Sequence, residues 1–536
     1  MTSRRRSAAA LTVAFLLLAS GCADDDDDGL AQDAGVADDE GETAEEEGPA
    51  AGQDGGLAEV DCAELVEGFE PGPVVVRCGT VDVPLDHDDA DGASIKLAVA
   101  IVPATAPDPA EDPLLILAGG PGEHLVASLP GLAAGDSPFA AAFERRDLIL
   151  VDQRGAGLSQ PALDCPEVEE ALADASSADA VALSQEATAE CHTRLTDEEG
   201  IDLSAFDTAA NVADLEVLRE ELGYETWNLF GTSYGARLVL QYQRDHADVV
   251  RAAVQSSPIP AEENFVADAG SSYAAAVEEV FAACAADPAC DQSFPDLSGT
   301  LTRVLESLAA APVMVELADP ETGEPVPTEV GPEVVAGLLF TLFYDTTAVQ
   351  AIPALVTQLG AGDFSAFTAA GGEVAAAIQI SQGMLLSFLC AEEVADQPLD
   401  ELQEANADLP PLVGEYYLPS SVAIGYPVYE SCDTWDVEEA DDETFEPVES
   451  DAPNLVVTGR FDQITSPDYA DVLEEQLPNA TFVEAATGHS PLLSLEECGI
   501  TLLSAYIEDP EADLDTTCAE TAPEFTDPAA EAAPEG

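Results

Sequence analysis

Basic side chains are scarce in this 536-residue sequence. It has 15 lysines and arginines, with Lys96 as the single lysine, against 107 aspartates and glutamates, and its formal net charge is −92 at pH 7. A surface this negative repels phosphate groups, which argues against nucleic acid and anionic lipid as partners. The composition leaves two explanations open: the coding bias of a GC-rich genome, or adaptation of the surface to high salt.

Cysteine spacings typical of metal sites are missing as well. The sequence has no Cys-x-x-Cys pair and no cluster of cysteine with histidine at the spacing of a zinc site. We therefore predict no metal and no cofactor. The 11 cysteines need another explanation.

The first 22 residues have the pattern of an export signal. Three arginines (4–6) precede an apolar stretch (8–19) that is too short to span a membrane as a permanent helix. Residues 18–22 read Leu-Ala-Ser-Gly-Cys, which resembles a bacterial lipoprotein cleavage site and implies that Cys22 becomes lipidated. We predict a lipoprotein signal peptide (1–22) and an exported protein anchored to the extracellular face of the cell membrane through Cys22. An ordinary signal peptide, or release to the medium, is the alternative.

Ten cysteines follow Cys22, an even number, as expected of disulfides in an exported protein. They fall into neighbouring couples, and we predict that each couple forms one disulfide. The predicted pairs are Cys62–Cys78, Cys165–Cys191, Cys284–Cys290, Cys390–Cys432 and Cys498–Cys518.

Short apolar runs that stop at glycine-rich turns indicate a parallel sheet. Residues 113–118 and 147–151 are almost entirely apolar, as expected of strands buried on both faces. They alternate with helical patterns such as 208–222, which is typical of an α/β fold with its site at the strand ends. Two earlier runs, 73–84 and 94–103, predict an antiparallel hairpin.

One long insertion interrupts this sheet-forming pattern. After about residue 256 the apolar spacing becomes helical, and a buried-strand pattern returns at 454–459. We predict an α/β fold whose mostly parallel sheet is flanked by helices and carries an inserted helical cap. The predicted segments are an acidic disordered linker (23–60), a first part of the core (61–255), a mostly helical cap (256–447), a second part of the core (448–508) and an acidic tail (509–536).

A Gly-Thr-Ser-Tyr-Gly turn at 231–235 joins the apolar run 227–230 to a helical pattern that extends to about His246. A strand-to-helix turn this tight exposes its central side chain in a strained conformation. Gly231 and Gly235 are required because a Cβ at either position would collide with the neighbouring helix or strand. We predict that Ser233 is a nucleophile.

A serine hydroxyl needs a base, and the base needs an acid that orients it. Of the five histidines, His489 directly follows a predicted strand in a Gly-His-Ser loop at the edge where strands end. Asp462 lies just beyond the preceding strand and is the predicted acid. The remaining histidines are in less suitable places: His87, His124, His192 and His246.

Acyl transfer also needs N–H donors for the negative oxygen of the tetrahedral intermediate. The backbone N–H of Tyr234, next to the nucleophile, is one predicted donor. The second is expected in the Gly-Gly-Pro-Gly loop at 119–122, and we favour Gly120.

Together these motifs resemble the prolyl aminopeptidase and secreted tripeptidyl aminopeptidase branch of the α/β-hydrolases, in its exported actinobacterial form. The order Ser233, Asp462, His489 is that of the α/β-hydrolases. The resemblance spans roughly residues 62–500. The motifs that carry it are Gly-Gly-Pro-Gly (119–122), Asp-Gln-Arg-Gly (152–155), Gly-Thr-Ser-Tyr-Gly (231–235), Gly-His (488–489), Cys-Gly-Thr-Val-Asp-Val-Pro-Leu-Asp (78–86) and Cys-Asp-Thr-Trp (432–435).

The resemblance implies exopeptidase activity, with a cap that closes over the N-terminal end of a peptide. It also implies an acidic cap residue that pairs with the free amine of the substrate. The candidates are Glu392, Glu262 and Glu263, although any acid in so acidic a chain is more often simply solvated.

We therefore expect an exported serine hydrolase that cleaves peptide bonds near free N-termini. The alternative within enzymes is an esterase or amidase that acts on small molecules, because the same machinery serves any acyl transfer. The alternative outside enzymes is a surface protein that binds without turnover. The oligomeric state stays open.

Overall fold

The structure of the protein is a computed structural model. It describes residues 56–89, 92–133, 143–173, 177–318, 325–365, 380–395 and 397–521, together with 523 and 525. The predicted signal peptide, Cys22 and most of the predicted linker lie outside these ranges.

A nine-stranded sheet forms the centre of the fold, and a separate two-stranded sheet lies in the inserted segment. The strands are β1 (Ala58–Val60), β2 (Arg77–Pro84), β3 (Ser94–Val102), β4 (Leu114–Leu117), β5 (Leu148–Val151), β6 (Trp227–Thr232), β7 (Val250–Ser256), β8 (Val313–Ala318), β9 (Pro325–Val330), β10 (Asn454–Gly459) and β11 (Ala480–Ala485).

The order of the large sheet is β1-β2-β3-β5-β4-β6-β7-β10-β11. β1, β2 and β3 pair antiparallel with one another, β3 pairs antiparallel with β5, and all neighbours from β5 to β11 are parallel. The predicted hairpin is confirmed as β2–β3, and the predicted buried runs are confirmed as β4, β5 and β10.

Alternate side chains of the central strands enter two separate cores. Leu115 and Leu117 of β4 belong to the larger core, whereas Leu114 and Ile116 belong to the core on the opposite face. Burial on both faces explains why β4 is apolar without alternation. The carboxyl ends of the parallel strands then meet along one edge, where loops carry the polar residues.

Helices cover both faces of the sheet. They are α1 (Cys62–Leu65), α2 (Leu129–Ala133), α3 (Pro166–Ala173), α4 (Ser177–Thr193), α5 (Thr208–Leu222), α6 (Tyr234–His246), α7 (Phe265–Ala286), α8 (Pro288–Ser293), α9 (Leu297–Ala310), α10 (Pro332–Leu342), α11 (Thr346–Gly360), α12 (Gln382–Phe388), α13 (Leu399–Ala405), α14 (Pro427–Trp435), α15 (Tyr469–Gln476), α16 (Pro491–Ser494) and α17 (Glu497–Glu508). Among the residues that the structure describes, no helix is both long and apolar enough to cross a bilayer.

The segment inserted between β7 and β10 contains α7 to α14 and is helical apart from one hairpin. That hairpin, β8–β9, pairs Val313 with Val330 and Ala318 with Pro325 and was not predicted. Pro325 and Pro327 argue against a strand, because proline cannot donate to a ladder. They are tolerated here since each strand of a two-stranded sheet has one unpaired edge.

Two predicted boundaries differ from the structure. Residues 58–60 of the predicted linker form β1, which pairs with β2 at the sheet edge. The first part of the predicted tail is ordered, because Cys518 is bonded to Cys498 and the buried Ala519 accepts a hydrogen bond from the Ala486 N–H. In both places tertiary pairing orders a segment whose composition is polar.

All five predicted disulfides are present. The pairs are Cys62–Cys78, Cys165–Cys191, Cys284–Cys290, Cys390–Cys432 and Cys498–Cys518. Each disulfide closes a loop of at most 42 residues.

The turn glycines of the Gly-Thr-Ser-Tyr-Gly motif generate a first prediction. A Cβ on Gly235 would lie 2.3 Å from the Leu117 carbonyl oxygen of β4, and one on Gly231 would lie 2.2 Å from the Gly235 carbonyl oxygen. Because these contacts are with backbone atoms, they cannot be relieved by a side-chain movement. Gly235→Ala should therefore lower the free energy of unfolding by on the order of 3 kcal/mol or more, and lower the melting temperature and soluble yield.

Gly337→Ala is the matched control. Gly337 lies inside α10, and a Cβ there would meet nothing within 4 Å. Alanine should therefore stabilise that helix by up to about 1 kcal/mol. Equal melting temperatures for Gly235→Ala and the wild type would contradict the clash.

Candidate active site

Ser233 occupies the turn between β6 and α6. Its backbone has φ 56° and ψ −123°, a conformation that a residue with a Cβ adopts only under strain. The turn is fixed on both sides, since the Ser233 N–H donates to the Ser256 carbonyl at 2.9 Å and the Ser233 carbonyl accepts from Ala236 at 2.9 Å. The residue stays partly exposed, whereas its neighbours are buried. The turn therefore presents the hydroxyl at the edge where the parallel strands end.

Asp462 and His489 form a buried hydrogen-bonded pair. The Nδ1 atom of His489 lies 3.0 Å from both carboxylate oxygens of Asp462. The two residues lie in the loops that follow β10 and β11, which are adjacent parallel strands. Because Nδ1 is bound to the carboxylate, Nε2 is the nitrogen left to exchange a proton with a substrate or nucleophile.

Asp462 accepts several further hydrogen bonds. Ser257 and Thr465 donate their hydroxyls to Oδ2, each at 2.6 Å. The backbone N–H groups of Ile464 and Thr465 donate to Oδ1 at 3.0 and 2.9 Å. Burial by itself would raise the pKa of Asp462, but the charge of His489 and these hydrogen bonds outweigh it and lower the pKa below its ordinary value. Asp462 is therefore held as a carboxylate beside the imidazole.

Two consecutive serines at the end of β7 connect the three loops. Ser256 accepts the Ser233 N–H through its carbonyl and the Leu492 N–H through its hydroxyl. Ser257 has φ 54°, donates to Asp462, and accepts the Ser490 N–H at 3.1 Å. The serine turn, the aspartate loop and the histidine loop are thus bonded to the same dipeptide.

The inserted segment supports the histidine loop directly. The His489 N–H donates to the Phe343 carbonyl at 3.0 Å, and a Cβ on Gly488 would lie 1.8 Å from that same oxygen. The ring of Tyr344 meets the His489 ring edge-on, with centroids 5.4 Å apart. The chain between α10 and α11 therefore forms one wall of the site.

The Gly-Gly-Pro-Gly loop lies beside the nucleophile turn. A Cβ on Gly119 would be 3.2 Å from the Ser233 Cβ. The Gly119 N–H donates to Oε2 of Glu123 at 3.0 Å. In the described part of the chain, the N–H groups of Gly120 and Tyr234 have no acceptor. These two N–H groups are therefore free to receive a substrate oxygen.

The Asp-Gln-Arg-Gly motif braces this loop, a role that the sequence did not reveal. Asp152 accepts the N–H groups of Val126 and Leu158, each at 2.8 Å. Gln153 donates to the carbonyl of Ala118 at 2.9 Å, directly before the glycine loop. The only advance signal was the position of three polar residues immediately after a buried strand.

Arg154 completes the brace. It is fully buried and donates to both carboxylate oxygens of Asp214 on α5, at 2.8 and 2.6 Å. It also donates to the backbone carbonyls of Pro84, Leu85 and Ala205. The motif therefore ties the loop after β5 to β2 and α5.

Of the three acids predicted to bind a substrate amine, Glu392 and Glu262 have partners for their carboxylates within the protein, and Glu263 is bonded through its main chain. Glu392 accepts the N–H and the hydroxyl of Thr208, both at 2.7 Å. Glu262 is hydrogen-bonded to Gln476, and Glu263 gives its backbone carbonyl to Arg237 at 2.9 Å. Their assignment to the amine stays a prediction.

The other histidines are engaged elsewhere. Nε2 of His87 lies 2.8 Å from Asp214, and Nε2 of His124 lies 3.0 Å from the Ser381 hydroxyl. His192 packs against Trp435, and His246 against Tyr242. Among the described residues, no group of three or more metal-binding side chains could hold a metal ion.

Two family models match parts of this chain. A family model described as "alpha/beta hydrolase fold" matches residues 112–314, and one described as "TAP-like protein" matches residues 423–518. The chain has the α/β-hydrolase fold.

The relatives of this hydrolase include named peptidases and one named esterase. "Serine protease Hip1" of Mycobacterium tuberculosis is 31% identical over 205 residues, which covers 34% of this chain and 38% of that protein. "Tripeptidyl aminopeptidase" of Streptomyces coelicolor is 30% identical over 196 residues, or 35% of this chain and 36% of that one. "Carboxylesterase B" of Mycobacterium tuberculosis is 42% identical over 91 residues, or 17% of this chain and 16% of that one.

The predicted resemblance to an aminopeptidase-type family of α/β-hydrolases is confirmed by these matches. The hydrolase spans less than two fifths of the length of each of these relatives. The matches therefore support the predicted family and leave the activity of the whole protein to be argued from its site.

Glu392 generates a prediction on pH dependence. Burial raises its pKa to about 7, because the charge of Arg237 and the hydrogen bonds from Thr208 offset the loss of hydration only in part. The ordinary value is 4.5, so the folded protein keeps a proton that the unfolded chain loses between pH 4.5 and about 7. Ionisation of Glu392 therefore costs stability as the pH rises through this interval, and the full cost is present above it.

Glu392→Gln keeps one of the two oxygens that accept hydrogen bonds from Thr208 and removes the titration. Its melting temperature relative to the wild type should be higher at pH 8 than at pH 5, by a few degrees on the scale of about 1.4 kcal/mol per pKa unit. Glu401→Gln, an exposed position on α13, is the control and should show no such change. A constant difference across the pH range would contradict a raised pKa.

Proposed function

We propose that the protein is an exported serine exopeptidase that hydrolyses peptide bonds near free N-termini. Ser233 is the nucleophile, His489 the general base and acid, and Asp462 the residue that orients and stabilises the imidazolium. The N–H groups of Gly120 and Tyr234 hold the oxyanion.

The observation that carries the proposal is the convergence on Ser256 and Ser257. This dipeptide bonds a strained, partly exposed serine turn to the loops of a buried Asp–His pair. A loop serine, aspartate and histidine with only structural roles would not require a positive φ at Ser233 or an aspartate with its pKa lowered.

The geometry supports the following reaction. The Ser233 oxygen forms a bond to the substrate carbonyl carbon while its proton moves to Nε2 of His489. The carbonyl electrons move to the oxygen, which the two N–H groups stabilise. His489 then gives the proton to the leaving amine as the C–N bond breaks, and an acyl-enzyme remains. Water then attacks the acyl carbon while its proton moves to His489. The ester bond to Ser233 breaks, His489 returns the proton to the serine oxygen, and the carboxylic acid leaves.

The brace around the glycine loop favours this assignment of the oxyanion donors. The Gly119 N–H is already bound to Glu123, which leaves Gly120 as the next donor in the loop. Loss of a single oxyanion donor typically lowers kcat by about 100- to 1,000-fold. By holding the glycine loop through Ala118, Gln153 therefore helps to keep the Gly120 donor in place.

The names of the relatives favour a peptide substrate over an ester. Two of the three relatives named above are peptidases, and both match over longer stretches of this chain than the carboxylesterase does. Hydrolysis of small esters or amides is the second candidate, and the carboxylesterase match is the observation that favours it. Binding without turnover is the third.

Five disulfides support an extracellular location, since such bonds persist outside the reducing cytosol. We propose that the protein is held on the outer face of the cell membrane through a lipid on Cys22. Peptides with a free N-terminus are the proposed partners.

Replacement of the nucleophile tests the mechanism. The wild type should react covalently with a fluorophosphonate probe at Ser233, and Ser233→Ala should lose both labelling and hydrolysis. Asp462→Asn should keep the fold and lower kcat by about 10,000-fold, because the imidazole is then held in the wrong tautomer. Ser271→Ala, which removes an exposed hydroxyl on α7, is the control and should retain full labelling. A Ser233→Ala variant that is still labelled would refute the assignment.

The substrate class is tested separately on the same enzyme. We expect aminoacyl or tripeptidyl arylamides with a free N-terminus to be hydrolysed with a higher kcat/KM than N-acetylated arylamides and short-chain p-nitrophenyl esters. Hydrolysis of the esters alone would replace the peptidase proposal with the esterase.

A further inference from the structure

Glu123 is an acid at the catalytic edge that the proposed mechanism does not use. It directly follows the Gly-Gly-Pro-Gly loop, and its Oε2 accepts the Gly119 N–H. A Cβ placed on Gly119 would lie 3.2 Å from the Ser233 Cβ and 3.6 Å from Oε2 of Glu123. The carboxylate is therefore no farther from the nucleophile's Cβ than the sum of these two distances.

The carboxyl group of Glu123 is close enough to His489 to interact with its charge. Glu123 is partly exposed, and Ser233 and Gly120 are the other partly exposed residues of this loop and turn. Burial of the carboxyl group raises the pKa of Glu123, and the charges of His489 and His124 oppose that rise. The negative charge of Glu123 in turn contributes, after burial and Asp462, to a raised pKa of Tyr344, whose ring contacts His489.

A carboxylate at this place opposes catalysis unless a cation accompanies it. It lies close to the proposed position of the oxyanion, and like charges a few ångströms apart repel each other. The two nearby histidines are committed elsewhere. His489 must cycle between its charged and neutral forms, and His124 contacts the Ser381 hydroxyl at 3.0 Å and Asp164 at 3.6 Å.

The substrate itself can supply the cation. The α-amino nitrogen of an N-terminal residue is about 2.5 Å from its own carbonyl carbon, and each further residue adds about 3.3–3.6 Å. A carbonyl positioned for attack lies about 3–3.5 Å from the serine oxygen. The ammonium of the residue under attack therefore falls within reach of Glu123, whereas the ammonium of a tripeptidyl unit lies about 7 Å farther away.

We propose that Glu123 binds the free α-ammonium group of the residue whose carbonyl Ser233 attacks, so that the enzyme releases one N-terminal residue at a time. This inference rests on the proposed exopeptidase function. One carboxylate oxygen keeps the Gly119 N–H and the other receives the ammonium, which offsets the charge beside the oxyanion. The amine anchor is thus part of the glycine loop and not of the inserted segment.

Glu123→Gln separates charge from loop geometry. Glutamine retains an acceptor for the Gly119 N–H but cannot neutralise an ammonium. For alanine p-nitroanilide the KM should rise about 10- to 100-fold, as expected from loss of a charge-assisted hydrogen bond, with kcat changed by less than about threefold. Hydrolysis of p-nitrophenyl acetate, which has no amine, and the rate of fluorophosphonate labelling should not fall. Both should rise, because the substitution removes a negative charge beside the oxyanion that neither reagent can neutralise.

Glu306→Gln is the matched control, because it removes one negative charge from an exposed position on α9. It should leave all three readouts unchanged. Equal losses for the arylamide and the ester in Glu123→Gln would show that Glu123 only positions the loop, and would overturn the proposal. A wild-type enzyme that cleaves trialanine p-nitroanilide in one step but not alanine p-nitroanilide would overturn it as well. Turnover of esters with no activity on any free-amine arylamide would overturn the exopeptidase function itself.

Discussion

The site depends on how closely the nucleophile turn approaches the sheet. Gly231 lies against the first turn of α6, and Gly235 lies against the backbone of β4, both at distances that exclude a Cβ. This contact holds Ser233 at a positive φ, at a cost of about 1–3 kcal/mol that the surrounding packing must offset. Strands buried on both faces supply that packing. The rigidity of the sheet is thus what allows a strained and reactive conformation to persist.

Hydrogen bonds from one dipeptide at the same edge hold the loops of Asp462 and His489 beside the serine turn. Ser256 and Ser257 are consecutive, so the serine turn and the aspartate and histidine loops cannot shift far relative to one another. The inserted segment adds a contact from Phe343 to His489, which couples the wall of the cleft to the base. Under the proposed function, a substrate bound against that wall would act on the loop that carries His489.

Local patterns in the sequence were sufficient to predict most strands and helices of the core. Both limits of α5 agree with the prediction, because apolar spacing and the glycine that ends the helix, Gly223, are local signals. β1 and the β8–β9 hairpin were missed because pairing with a neighbouring strand overrides a polar or proline-containing sequence. The Ser257 contact with Asp462 joins residues 205 positions apart, and loop serines are too common to single one out. Glu123 was overlooked for the same reason, since acids are abundant everywhere in this chain.

Every disulfide joins a cysteine to the next one along the sequence, with separations of 6 to 42 residues. A chain that emerges from a translocation channel with its N-terminus first would therefore expose both partners of each bond before the next couple appears. Oxidation in order of emergence gives the native connectivity without isomerisation. Such a protein has little need of a disulfide-shuffling catalyst during its maturation.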